Sequence, residues 1–387
     1  MIIRDFTDND LYKFTTLNAI LKKFPKAKVI YEFINRGNTP FPAGFASALR
    51  DEVDAMKNLR LCSDSESFLR EQCPYFDEAF IAYLRAYRFD PEDVKISQTG
   101  GKLEVGIKGF WARTVLWEVP VLALISELYF RITGQKPDNY VPRTIAKSKE
   151  FASVGAHITD FGTRRRFSFD VHNRVLTIMS KHMGAYLDGT SNVFLAMKHG
   201  LKPIGTHPHE WFMYHGAHFG YRNANKESLK NWVDVYKGKL AIALTDTYTS
   251  DNFFQNFNKN YSDIFYGLRW DSGDPFEFTD KAIKHYSMFE IDTREKIIVY
   301  SDALDLEKVK SIRNYADGKV KDLYGIGTYL TNDVGVIPLN IVIKMTAAKP
   351  EGFSGYLPAV KLSDVVDKNT GDSKEIDACI KEIQPVL

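Results

Sequence analysis

The chain has 387 residues, room for a large domain and a smaller one, and its 44% hydrophobic and 26% charged residues suit a globular protein with an ordinary core. A net charge of +2, with Arg164-Arg165-Arg166 as the tightest basic cluster, argues against a nucleic-acid footprint, and the longest apolar run, Val119–Ile125, is too short to span a membrane. Cys62, Cys73 and Cys379 stand far apart with no C-x-x-C pair, which disfavours a zinc knuckle or disulfide framework and, with the charged start MIIRDFTDND, fits a reducing cytoplasm.

In chain order, residues 1–136 read as an α+β domain. LYKFTTLNAILKKF carries apolar residues at helical spacing. KVIYEFINR reads as a strand, FASALRDEVDAMKNLRL and SFLREQCPYFDEAFIAYLRAY as helices, and KLEVGIKGF as a short strand. VPVLALISELYFRITG reads as a helix opened by Pro120 and closed near Gly134. Over residues 137–347 a unit recurs: a short apolar strand, a polar or glycine-rich loop, then a helix. The strands lie in AHITDFG, AYLDG, PIGT, LAIALTD, IFYGLRW, KIIVY, DLYGIG and PLNIVIKM. Strands alternating with helices imply a parallel sheet, and about eight units in this length suggest a small (β/α) barrel. The tail, residues 348–387, adds a strand and a short helix and is expected to return to the first domain.

A parallel barrel gathers all its strand ends on one face. The polar residues there are Asp160 and Arg164–Arg166; Thr190 and Ser191; Thr206, His207, His209 and Glu210; Asp246; Arg269, Asp271 and Asp274; Asp302 and Asp305; Gly325, Gly327 and Thr328; and Lys344. Arg164–Arg166 suit phosphate or carboxylate, because the guanidinium fork matches two oxygens at once. Gly325-Ile326-Gly327-Thr328 suits a phosphate cradle, or simply a tight turn. Asp274 before Pro275 is either a helix cap or a functional acid, whereas Asp271, nearer its strand, suits sugar hydroxyls or Mg²⁺.

The stretch IGTHPHEWFMYHG holds His207, His209 and His215, with His218 just beyond. His207 and His209 form an H-x-H pair of the kind a metal-dependent barrel hydrolase uses, but the other strand ends offer Asp and Arg in place of further histidines. His215 and His218 read as structural or exposed. His209, followed by Glu210 and facing Asp246 from the next strand end, reads as a nucleophile. A carboxylate on one ring nitrogen fixes the tautomer and raises the basicity of the other. Beside arginines, its natural electrophile is a phosphoryl group.

The ordered set TDNDLYKFT, DFGTRRRFS, LDGTSN, GTHPHEWF, LTDTYTSD, LRWDSGDP, SDALDL, GIGTYLTND, LNIVIK and VKLSD resembles the nicotinate phosphoribosyltransferases, in their bacterial branch, along nearly the whole chain. The resemblance implies an ATP-coupled enzyme of ligase type for NAD salvage. It would join nicotinate to phosphoribosyl pyrophosphate with Mg²⁺, through a phosphorylated histidine at His209 oriented by Asp246. It implies a homodimer in which Tyr12 reaches the neighbouring subunit and stacks on the pyridine, with Phe161 on the other face. Thr206 and Arg269 map onto nicotinate contacts, and Ser191 replaces an aspartate of the related nicotinamide enzyme, favouring an anionic substrate. Thr328, Gly325 and Gly327 map onto the sugar-phosphate site, with Asp271 and Asp302 near ribose and Mg²⁺; Arg164 and Arg165 are the arginines assigned to phosphoribosyl pyrophosphate. The competing readings are the metal-dependent hydrolase and a non-catalytic phosphoribosyl-binding protein.

Overall fold

The computed structural model describes residues 1–384. Twelve strands are present among them: β1 (Lys28–Asn35), β2 (Val94–Thr99), β3 (Lys102–Phe110), β4 (Ile158–Asp160), β5 (Leu187–Thr190), β6 (Lys202–Pro203), β7 (Ile242–Leu244), β8 (Gly267–Trp270), β9 (Ile297–Tyr300), β10 (Lys321–Ile326), β11 (Ile341–Lys349) and β12 (Leu357–Pro358). They form two sheets. One has the order β12-β11-β1-β3-β2, and the other β6-β5-β4-β10-β9-β8-β7. The seven-stranded sheet is a curled parallel half-barrel with β6 and β7 at its edges, so the α/β barrel-like class is the one observed.

Seven of the eight expected repeat strands enter the parallel sheet. The eighth, PLNIVIKM, instead supplies β11, which pairs antiparallel with β12. The reason is written in its pattern. Ile341, Ile343 and Met345 are buried while Val342, Lys344 and Thr346 are half-buried, the alternation of a strand with one wet face. By contrast Ile158-Thr159-Asp160 and Ile242-Ala243-Leu244 are buried throughout, as strands covered on both faces are. Lys344 therefore lies within an antiparallel strand and ends no barrel strand. Similarly, the long helix read from SFLREQCPYFDEAFIAYLRAY is two helices, Ser63–Gln72 and Glu78–Ala86, the second capped by Asp77 accepting from Phe80 N at 2.9 Å. Pro74 stands between them, where it ends the first. Sequence reading also missed β2, which pairs antiparallel with β3.

The chain divides into two compact units. One comprises Met1–Asn18, Ile30–Gly205 and Ile326–Lys344; the other Ala19–Val29, Thr206–Gly325 and the described residues from Met345 on. The first is built around the helix Glu118–Ile132, buried along nearly its whole length, with Trp111 and Trp117 fully enclosed. The second encloses Trp211, Trp232 and Trp270. In the second unit β7, β8 and β9 run parallel and in step, Leu244 opposite Arg269 and Trp270 opposite Tyr300. Two residues beyond that first pair stand Asp246 and Asp271, so the register delivers both carboxylates to one edge.

Candidate active site

In the second unit, His209 opens the helix His209–Phe219, and Glu210 is buried in its first turn. The imidazole is held from both ends. Nδ1 lies 2.9 Å from Thr247 Oγ1, and Nε2 lies 3.0 Å from Asp271 Oδ2 and 3.8 Å from Asp246 Oδ1. Asp271 is thus the nearer of the two acids. A carboxylate accepts, so Nε2 carries the proton and Nδ1 keeps the lone pair, to which the Thr247 hydroxyl donates. Burial, and then the charge of Lys361, push His209 down to about 4 against the opposing pull of the carboxylates. The ring is therefore neutral near pH 7, as a nucleophile must be.

The carboxylates are themselves supported. Asp271 Oδ1 accepts from Arg269 Nη2 and Ser301 Oγ, each at 2.7 Å. Although burial opposes it, the Arg269 guanidinium and the His209 hydrogen bond hold Asp271 well below the usual carboxylate range. Arg269 also donates Nη1 to Thr206 Oγ1 at 2.9 Å and Nε to Ser301 Oγ at 2.7 Å. Asp246 Oδ2 accepts from Ser272 Oγ at 2.6 Å and Ser363 Oγ at 3.2 Å, with Lys361 Nζ at 3.6 Å. Asp246 Oδ1 is buried without a hydrogen-bond partner. Asp302 pairs with Lys368 Nζ at 2.5 Å, and Asp305 caps a helix by accepting from Lys308 N. Asp274 is likewise a cap, its Oδ1 accepting from Phe276 N and Glu277 N. Thr247, Ser272, Ser301, Lys361 and Ser363 escaped sequence reasoning, although each lies in or beside a motif named above.

The histidines separate cleanly. His207 is enclosed by the rings of Phe212, Trp232 and Phe265, neither nitrogen has a hydrogen-bond partner, and burial pushes it down to about 3. His215 is a structural residue, bonded to Trp211 O at 2.7 Å and Asn231 Nδ2 at 3.1 Å, and His218 stacks on Phe219. Among the described residues, the group that meets metal-ligand spacing is His209, Asp246 and Asp271, whose ligand atoms lie within 4.8 Å of one another. It draws on no H-x-H pair, and Arg269 and Lys361 already bring positive charge to both carboxylates.

The first unit holds another set. Arg166 is not an anion ligand in waiting. Nη1 and Nη2 donate to Asp8 Oδ1 and Oδ2 at 2.7 and 2.9 Å, both side chains fully buried, and Asn192 Nδ2 adds 2.8 Å to Asp8 Oδ1. Arg164 lies 3.7 Å from Glu118, which also holds Lys13 Nζ at 2.5 Å, and Arg165 is half-buried, its carbonyl accepting from Asn332. Ser191 Oγ donates to Asp10 Oδ1 at 2.7 Å, so an acid stands beside this position after all. Asp160 gathers the start of the DFGTRRR loop: it accepts from Gly162 N at 2.9 Å, Thr190 Oγ1 at 2.6 Å and His172 Nε2 at 2.6 Å. Phe161 and Tyr12 are half-buried. Gly205 presses on the helix that carries Tyr12, since a Cβ there would stand 2.8 Å from Tyr12 N. Gly327 leads into the single turn Thr328–Thr331 and passes so near Phe161 O that a Cβ would lie at 3.2 Å; Gly325, which belongs to the second unit, is buried inside β10.

A curled α/β half-barrel whose strand ends converge on a neutral histidine, two acids and an arginine defines an α/β enzyme with a histidine–carboxylate centre. Residues 156–383 match the nicotinate phosphoribosyltransferase (NAPRTase) family and residues 7–126 match the N-terminal domain of that family. The chain belongs to the nicotinate phosphoribosyltransferase family. It is 51% identical to the nicotinate phosphoribosyltransferase of Chromohalobacter salexigens, over 96% of this chain and 95% of that one, and 45% identical to that of Desulforapulum autotrophicum, over 99% of each. Among solved structures, nicotinate phosphoribosyltransferase from Porphyromonas gingivalis superposes with a TM-score of 0.97 at 43% identity, covering 99% of this chain and 100% of that one. The Vibrio cholerae structure gives 0.93 at 33%, covering 100% and 95%. No helix among the described residues is long and apolar enough to cross a membrane.

Proposed function

We propose that this nicotinate phosphoribosyltransferase couples its reaction to ATP through phosphorylation of His209, giving nicotinate mononucleotide, pyrophosphate, ADP and phosphate as a step of NAD salvage in the cytoplasm. The observation that carries this is the setting of the ring: Nε2 lies 3.0 Å from the Asp271 carboxylate, which assigns it the proton, and Nδ1 lies 2.9 Å from Thr247, in a buried site that favours the neutral form. A bond from Nδ1 to the γ-phosphorus forms as the bond from that phosphorus to the ADP oxygen breaks. Asp271 and Asp246 stabilise the cationic ring that results. Water later cleaves the N–P bond, releasing phosphate and the neutral imidazole. In the transfer itself, the nicotinate ring nitrogen bonds to the ribose anomeric carbon as its bond to pyrophosphate breaks.

The remaining assignments follow the family motifs. Arg269, Thr206 and Ser191 are assigned to the nicotinate carboxylate, and Tyr12 and Phe161 to the two faces of the pyridine, Tyr12 from the other subunit of a homodimer. Arg164, Arg165, Gly325, Gly327 and Thr328 receive the sugar phosphate and pyrophosphate. The family motifs assign Mg²⁺ to carboxylate oxygens of Asp271 and Asp302; the ion would have to share Asp271 with Arg269 and His209, and Asp302, half-buried, with Lys368. The ion would neutralise the leaving pyrophosphate. Glu210, buried one residue past His209 in the first helical turn, is assigned to the same centre.

The test is incubation with γ-labelled ATP and Mg²⁺, followed by measurement of acid-labile protein phosphate. Wild type is expected to label stoichiometrically and His209→Ala not at all, with ATP stimulation of mononucleotide formation lost in parallel. Undiminished ATP stimulation in His209→Ala would sink the proposal.

A further inference from the structure

The segment Ala359–Asp364 is stitched to the His209 centre at several points. Leu362 N donates to Thr247 O at 2.9 Å, Ser363 Oγ meets Ser272 Oγ at 2.8 Å, and Asp364 accepts from Ser250 N at 2.7 Å. An antiparallel bridge from Lys361 to Thr370 closes the loop that follows. This anchoring brings Lys361 inward, its side chain only 5% exposed.

An enclosed ammonium is costly unless its three donors are met. Among the described residues Lys361 Nζ has a single charge partner, Asp246 Oδ2 at 3.6 Å, and no hydrogen bond. That carboxylate oxygen is already served by Ser272 and Ser363. Lys361 is the cation that chiefly offsets the burial of Asp246, yet one charge contact at 3.6 Å engages only part of what its three donors can offer. It stands on the backbone stretch that touches Thr247, the residue at His209 Nδ1, and its charge acts on His209, Asp246 and Asp271 alike. A positive group with unmet donors beside a neutral nucleophile suits one class of ligand, a multiply charged anion arriving at that nucleophile.

We propose that Lys361 is a catalytic residue of the phosphoryl step, its ammonium binding the non-bridging oxygens of the phosphoryl group as it moves from ATP to His209. This rests on the phosphohistidine reading. The lysine takes no part in bond making: the N–P bond forms and the P–O bond to ADP breaks, while Nζ keeps its protons and offsets charge on the equatorial oxygens. Such a contact is made most strongly in the transition state, so its loss lowers the rate of labelling more than the affinity for ATP.

Rapid-quench labelling with γ-labelled ATP and Mg²⁺ tests this on the full chain, with Lys361→Met, Lys361→Arg and wild type side by side. Lys361→Met is expected to label about 100-fold more slowly, a loss typical of removing one charge-stabilising donor. Lys361→Arg, which keeps the charge and its pairing with Asp246, is expected to retain at least about a tenth of the wild-type rate, and circular dichroism should find both variants folded. If Lys361→Met labels within about threefold of wild type, the assignment falls and the phosphohistidine reading stands. If wild type itself acquires no acid-labile phosphate, both fall together. Should Lys361→Met fail to fold, Lys361→Arg decides alone: folded but labelling more than about 100-fold slower than wild type, it overturns the role given to the charge.

Discussion

Thr247 Oγ1 stands 2.9 Å from His209 Nδ1, on the opposite side of the ring from Asp271. The hydroxyl and the carboxylate together select one tautomer, because only a ring protonated on Nε2 satisfies both at once. The hydroxyl must also yield its place when phosphorus arrives, so it orients the ring without blocking it.

Thr247→Val keeps the shape and removes the donor. Losing one hydrogen bond worth about 1–1.5 kcal/mol is expected to slow acid-labile phosphate formation about tenfold, while Thr247→Ser stays within about threefold. Single-turnover labelling measures both. Equal rates in the valine variant and wild type would mean that the carboxylates alone fix the ring.

The Asp8–Arg166 pair sets a different expectation. Two hydrogen bonds join fully buried groups, and the Arg166 charge holds Asp8 below the ordinary carboxylate range against the effect of burial. Arg166→Met leaves a buried carboxylate unpaired and is expected to cost about 3–5 kcal/mol. Converting both residues, Asp8→Asn with Arg166→Met, should recover part of that loss. Urea midpoints of the three proteins give the comparison, and a single variant no less stable than the double would remove the pair from any account of the fold.

How much of this was legible beforehand depends on how far apart the partners lie in the chain. Short apolar runs ending in polar residues marked the seven parallel strands, because strand, loop and helix are local patterns. The acids beyond β7 and β8 were legible as strand ends, but their convergence on His209 follows from the register between strands. The partner of Arg166 lies 158 residues away, and nothing local distinguishes an arginine awaiting a ligand from one already paired. PLNIVIKM misled because its apolar content suits a barrel strand, while its alternation, the finer signal, is that of a half-exposed one. Lys361 and Ser363 sat in view within VKLSD, yet a short loop gives no hint of which strand ends it will meet.

Stability should fall well before ordinary carboxylates titrate. Burial pushes His207 and His215 down to about 3 and His209 to about 4, from an ordinary value of 6.5. Between roughly pH 6.5 and 4 the unfolded chain binds protons at these rings that the folded chain does not. Lowering the pH therefore favours unfolding, and the stability these neutral rings contribute, present in full above 6.5, is lost towards the folded values. Three such groups give a slope of up to about 4 kcal/mol per pH unit. Urea titrations at pH 7.5, 6 and 5 are expected to show the midpoint dropping across the series, and less steeply in His207→Phe. A midpoint flat from 7.5 to 5 would contradict neutral burial of the rings.

Ser191 and Asp10 carry the last expectation. Their hydrogen bond of 2.7 Å puts a buried carboxylate, raised above its ordinary range chiefly by burial, directly against the serine hydroxyl. Arg164 offsets part of that charge. Ser191→Asp would set two acids within hydrogen-bond distance, where like charges cannot both ionise cheaply. One keeps a proton near neutrality, and any residual charge opposes an incoming carboxylate ligand. The KM for nicotinate is expected to rise at least about tenfold while that for phosphoribosyl pyrophosphate moves less than about threefold, and lowering the assay pH should narrow the gap as the pair takes up its second proton. Ser191→Ala, which removes the hydrogen bond and adds no charge, should leave nicotinate KM within about threefold. Steady-state kinetics with each substrate varied separately decides the matter: if nicotinate KM in Ser191→Asp matches wild type, residue 191 does not line the nicotinate pocket.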